Sequence, residues 1–277
     1  MSLPNNFDIV IEPNKRRSNF WKDLWNYRGL FYFLSWRDIL VRYKQTAIGI
    51  LWSVIRPLAT MVVFTIIFGK VAHLPSDGIP YILIVSAGML PWQFFANAFS
   101  EASNSLIANS SMLSKVYFPR IIVPISSVMV SFIDLLISFV IMAVLMAWYH
   151  FIPSINLIFL PLFIALAVFV TIGLSLLISA LNVKYRDFRY IVPFIVQFGL
   201  YISPVGFKSS VIPEKLRLLY SLNPMVGVID GFRWCILGST IEFNRLGFCI
   251  SILVSILIFI IGFYYFRKME RTFADII

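Results

Sequence analysis

The sequence predicts an all-α integral membrane protein: six transmembrane helices, an N-terminal amphipathic interface helix, and outer re-entrant helices. Two observations carry that prediction. Of 277 residues, 60% are hydrophobic and only 13% are charged. A soluble domain carries about 25% charged residues, so too little polar surface exists here to cover a water-soluble globule. The apolar stretches are also continuous and about 20 residues long, enough to cross a hydrocarbon core, without the alternation of a barrel strand. Backbone groups in lipid must be paired internally, so such runs read as helices.

Residues 1–18 contain Pro4, Pro13 and the cations Lys15, Arg16 and Arg17, with no apolar core. They are expected to form a cytoplasmic tail rather than a secretory signal. Residues 19–48 read as the interface helix. At 100° per residue Trp21, Trp25, Tyr32, Trp36 and Tyr43 share an arc of about 60°, with Lys22, Asp23, Arg37, Asp38 and Lys44 off that arc. Asp38 is spaced to pair with Arg42 at i,i+4. An indole and phenol stripe with basic flanks suits the headgroup layer; the alternative is a buried helix packed on the bundle.

Residues 49–266 form the membrane domain, with spans near 49–69, 80–100, 121–149, 157–181, 190–206 and 244–266. Between the second and third spans, 101–118 is polar and rich in Ser and Asn, able to form a short capped helix. Residues 207–240 contain Pro213, Pro224, Asp230 and Arg233, a poor full span but a plausible re-entrant hairpin. A tail follows at 267–277. Of the 23 Lys and Arg residues, nine precede Pro57, two fall in 115–120, three in 184–189 and three in 267–271. This bias puts both termini in the cytoplasm, as an even number of spans requires.

Several chemistries find no material. No GxxxxGK[ST] phosphate loop occurs, and His73 and His150 lack partners at metal-ligand spacing. Cys235 and Cys249 sit in apolar surroundings without CxxC spacing. No catalytic or metal-ligating residues are therefore assigned. A net charge of +10 would suggest nucleic acid in a soluble chain, but here it reports membrane orientation. Asp134 is a carboxylate inside the third span, where a charge is costly and calls for a partner or a function. Arg56 is the expected partner; a structural ion pair and a role in the pathway or in coupling both stand open. Tryptophan and tyrosine at span ends fit either interfacial belts or a track on which sugar rings stack.

Five stretches in order, RYKQTAIGILWSVIRPL, PYILIVSAGMLPWQFFANAF, SKVYFPRIIVPISSV, NVKYRDFRYIVPF and NPMVGVIDGFRW, together resemble a known family. It is the permease subunit of type-2 ABC exporters of O-antigen, capsule and teichoic-acid polysaccharides. The similarity runs from about residue 20 to the end. It implies that permease fold, a homodimer in the bacterial inner membrane, and a separate ABC ATPase subunit that uses ATP and Mg, so that this chain itself binds no cofactor. It further implies an undecaprenyl-diphosphate-linked polysaccharide as substrate, O-antigen foremost, with membrane lipids as partners and no nucleic acid.

By position, the resemblance makes Trp21, Trp25, Trp36, Glu101, Ser105, Asn109 and Lys115 candidates for ATPase coupling. Pro204, Phe207, Asn223 and Pro224 become gate candidates. Trp52, Arg56 and Tyr201, on the first and fifth spans, join Asp134 as channel candidates. An ion-gradient-driven flippase of lipid-linked sugars, or a membrane enzyme acting on them, are the alternatives.

Overall fold

The computed structural model describes residues 20–44, 49–185, 187–238, 244–270 and 272–273. The expected tail 1–18, the junction at 45–48 and the last four residues lie outside these. Among the described residues there are helices and no strand. The interface segment forms α1 (Phe20–Asn26) and α2 (Arg28–Lys44), separated by a turn at Tyr27. The longer apolar helices are α3 (Gly49–Phe64), α4 (Tyr81–Ala108), α6 (Ile122–Trp148), α7 (Leu160–Lys184) and α11 (Arg245–Met269), with the shorter apolar α8 (Phe188–Ile202) between α7 and α11 in sequence. Short helices α5 (Ser110–Leu113), α9 (Glu214–Tyr220) and α10 (Pro224–Leu237) occupy the connections.

Among the described residues, five segments are long and apolar enough to cross a membrane: 51–71, 81–108, 122–148, 155–184 and 245–269. The first continues past α3 as a π-helix over Thr65–Val71. The second runs beyond the expected limit near residue 100, because no proline or glycine interrupts 92–108; it ends at Asn109. By contrast α8 has 15 residues, about 22 Å at 1.5 Å per residue, shorter than a hydrocarbon core of about 30 Å. Its end is set by Pro204, which disfavours helix at the preceding residue. Ser203 is accordingly extended, at φ −81° and ψ 151°.

α4 is the central post. In its most apolar window 78% of residues are buried, against 17% for 51–71, and it packs along α6, α7 and α10. Lipid tails are as apolar as leucine, so helices here associate through close packing and polar contacts rather than escape from water. Small residues supply that closeness. α7 and α11 meet where a Cβ on Gly262 would lie 2.0 Å from the Gly173 carbonyl oxygen. Buried Asn182 on α7 donates to the Ser103 carbonyl and to Asn104 Oδ1 on α4, each at 3.1 Å. Tyr81 and Ala108 mark opposite ends of α4, about 40 Å apart. These two ends hold the polar clusters described next.

Candidate functional site

At the Ala108 end, α2 lies against α6 and its last turn carries a charge cluster. Arg42 pairs with Glu101 on α4, and its Nη2 lies 2.7 Å from Asp134 Oδ2 on α6. Tyr43 donates its hydroxyl to Asp134 Oδ1 at 2.5 Å. Burial, and then the neighbouring Asp134 carboxylate, push the Tyr43 phenol above its ordinary range. Tyr43 therefore remains a neutral donor. Asp134, only 8% exposed, lies 12 residues into α6, about 18 Å along the helix. Three helices are thus tied at one depth by one guanidinium and two carboxylates.

Two pairings expected from the sequence are corrected. Asp38 accepts from Arg37 Nε at 2.9 Å, while Arg42 pairs with Glu101 and Asp134. Arg56 does not meet Asp134. It is exposed one turn beyond exposed Trp52, whereas the adjacent Pro57 is buried, so the Arg56 side of α3 faces away from the bundle. Neither true partner of Asp134 was identified from sequence. The available signal was the Arg-Tyr pair closing an interface helix.

The coupling candidates separate by environment. Arg37 Nη2 donates to Asn109 Oδ1 at 3.0 Å, a second tie between α2 and the end of α4. Ser105 is buried and donates to the Ala102 carbonyl. Lys115 is exposed in a turn with Val116 and Tyr117. Trp21, Trp25 and Trp36 all stay exposed; Trp21 stacks on Phe263, and Trp36 stacks on Tyr32 at 6.5 Å and 5°. The three indoles thus form a surface, whereas Tyr43, expected on the same arc, is half-buried and bonded to Asp134.

α3 and α8 present an apolar face to the outside of the chain. Trp52 is 61% and Tyr201 63% exposed, and Phe194 and Phe198 stack beside Tyr201 at 5.3 Å. Within α8 only Val192 is buried. Of the four channel candidates, Trp52, Arg56 and Tyr201 belong to exposed faces of these two helices, and Asp134 is enclosed in the cluster.

At the Tyr81 end, the non-helical segment after α8 is held by side chains. Tyr220 donates to the Ile202 carbonyl at 2.7 Å and Tyr81 to the Gly206 carbonyl at 2.6 Å. Asn223 caps α10 by accepting from Met225 N, and its Nδ2 donates to Ser203 Oγ at 2.9 Å. Pro224 starts α10, where a missing N–H costs nothing. Pro204 is buried, and Phe207 packs on Phe68 of the π-helix. Lys208, 6% exposed, pairs with Asp77. The largest surprise is Arg233 on α10. It is fully buried and donates to the carbonyls of Ile84, Val205 and Phe207 at 3.1, 2.8 and 2.7 Å. The Asp230 and Arg233 charges inside an apolar stretch were the available signal.

Residues 29–237 match the family described as ABC-2 type transporter. This chain belongs to that family. The match spans both polar ends and the exposed α3–α8 face, so these are features of an ABC-2 permease. The chain is 30% identical over 242 residues to the O-antigen export system permease protein RfbA of Klebsiella pneumoniae, covering 87% of this chain and 92% of that one. It is 27% identical to the protein of the same description from Myxococcus xanthus, over 76% and 82% of the two chains. It is also 22% identical to the polysialic acid transport protein KpsM of Escherichia coli, over 70% and 76%. In this ABC-2 permease the α4 positions of the helical ties, Glu101 and Asn109, and those of the other end, Tyr81 and Ile84, are about 25–40 Å apart along α4.

Proposed function

We propose that this chain is the membrane subunit of an ATP-driven exporter that moves an undecaprenyl-diphosphate-linked polysaccharide, of the O-antigen type, across a bacterial inner membrane. The observation that carries the reading is the 30% identity to an O-antigen export permease over 87% of this chain. Two copies pair through the exposed faces of α3 and α8, and the glycan passes along the seam between them. A separate ABC ATPase hydrolyses ATP, with Mg, on the cytoplasmic side, where both termini lie. The exposed turn 114–117 and the indole stripe of α1 and α2 receive its displacement.

The geometry supports a definite route for that displacement. α2 is bonded to α4 through Arg37–Asn109 and Arg42–Glu101, and to α6 through Arg42–Asp134 and Tyr43–Asp134. A push on α2 therefore reaches the central post instead of being lost in the headgroup layer. Coupling of this kind needs two packings with different contacts. α3 and α8, apolar helices with few buried residues, are the elements able to shift at the seam.

The test is reconstitution of the permease with and without its ATPase in vesicles holding lipid-linked glycan. Export is expected only with both subunits and hydrolysable ATP. Export by the permease alone, driven by an ion gradient, would overturn the proposal.

A further inference from the structure

We infer that Arg233 is the positioning residue of the gate at the Tyr81 end, a three-point clamp that holds the seam helices closed until ATP-driven motion breaks it. The inference rests on the export function proposed above and names the group that sets its resting state. A fully buried guanidinium in a membrane protein requires compensation. The nearest carboxylate oxygen, Asp230 Oδ1, lies 3.9 Å away, beyond hydrogen-bond reach. Asp230 balances the charge as an ion pair, and the hydrogen bonds of the guanidinium go to three carbonyls, one from the core helix α4 and two from the segment after α8. The fit is close: a Cβ on Gly88 would lie 2.6 Å from Arg233 Nη2.

The segment being held joins both exposed helices. It continues directly from α8, which has little other anchorage, since only Val192 of that helix is buried. On its other side, Phe64 and Phe68 from the α3 segment close over Gly206, where a Cβ would meet Phe68 at 2.4 Å. Backbone released from a helix at membrane depth is tolerated only where protein or water satisfies it. Here Arg233 and Tyr81 satisfy three consecutive carbonyls, those of Val205, Gly206 and Phe207. Moving the end of α8 away from α4 and α10 must strip those carbonyls of their donors, Tyr81 and Arg233. The clamp therefore sets how far the seam favours its closed form, and the hydrogen bonds act differentially between the two states, as a gate requires.

The experiment uses the full permease with its ATPase in vesicles loaded with a small polar dye. Arg233→Lys keeps the charge but replaces the planar fork with a point donor, and Tyr81→Phe removes a single hydroxyl. Without ATP, dye leakage is expected to rise about fivefold for Tyr81→Phe, the population shift for one lost hydrogen bond. For Arg233→Lys, which loses two such bonds, the expected rise is about thirtyfold. ATPase association and detergent monodispersity, which report assembly alone, should stay at wild-type values for Tyr81→Phe. If Arg233→Lys fails to assemble, Tyr81→Phe decides: leakage supports the clamp, and wild-type tightness overturns it. Wild-type glycan export with two tight variants defeats the clamp while leaving the export reading intact. Leaky variants of a wild type that exports no glycan defeat the export reading and leave the clamp standing.

Discussion

Replacing Arg42 by methionine isolates the charge cluster that joins α2 to α4 and α6. The substitution keeps an apolar stem and leaves Glu101 and Asp134 without their shared cation. Removing one partner of a fully buried pair costs about 3–5 kcal/mol. The Arg42 and Glu101 side chains are 32% and 37% exposed, whereas Asp134 is 11% exposed. The Glu101 half is therefore worth at most about 1 kcal/mol, and the Asp134 half carries most of a total near 2–3 kcal/mol. Asp134→Asn removes the opposing charge while keeping an acceptor for Tyr43. Denaturant unfolding in micelles of the single and double variants should show a coupling of about 2 kcal/mol. The same cycle with Arg56→Met should be additive, since Arg56 faces away from Asp134. ATP-dependent export should fall in Arg42→Met and recover in part in the double variant. Additivity of Arg42→Met and Asp134→Asn to within about 0.5 kcal/mol would refute the reasoning.

Other expectations follow from single contacts. Tyr43→Phe should flatten the alkaline limb of the stability profile. A phenol whose folded pKa is raised above 10.0 contributes stability that is present below pH 10 and is lost as pH rises towards the folded value; an unchanged slope above pH 10 would count against it. Gly262→Ala should cost about 1–3 kcal/mol by overpacking, because its methyl would lie 2.0 Å from the Gly173 carbonyl oxygen. The fraction of monodisperse protein after extraction would report that loss. Trp52→Ala together with Tyr201→Ala should leave unfolding of the single chain within about 0.5 kcal/mol, as for surface sites, while lowering self-association measured by cross-linking. Loss of chain stability without loss of association would count against the exposed face as a seam.

The crossing segments were legible because each is a long apolar run, a property of consecutive residues. The indole stripe of α1 and α2 was legible for a similar reason: a helix converts a 3.6-residue period into a face. The extent of α4 was less so, since the polar residues 101–108 look like a loop, yet nothing among them breaks a helix. The pairings were the hidden part. Spacing along one helix assigned Arg42 to Asp38, and the presence of a cation in the first span assigned Arg56 to Asp134. Neither rule contains the angle at which α2 meets α6 or the face that α3 turns outward.

Composition and periodicity by themselves determined that this protein is a helical membrane protein, and its motif order pointed to the ABC-2 permeases. Only the tertiary structure decided that Arg42, Glu101, Tyr43 and Asp134 form one cluster, and that Arg233 reaches across to Ile84, Val205 and Phe207. The reason is physical. Burial of an apolar run is a sum over neighbours in sequence, whereas the compensation of a buried charge depends on donors and acceptors that only the packing of distant helices brings within 3 Å.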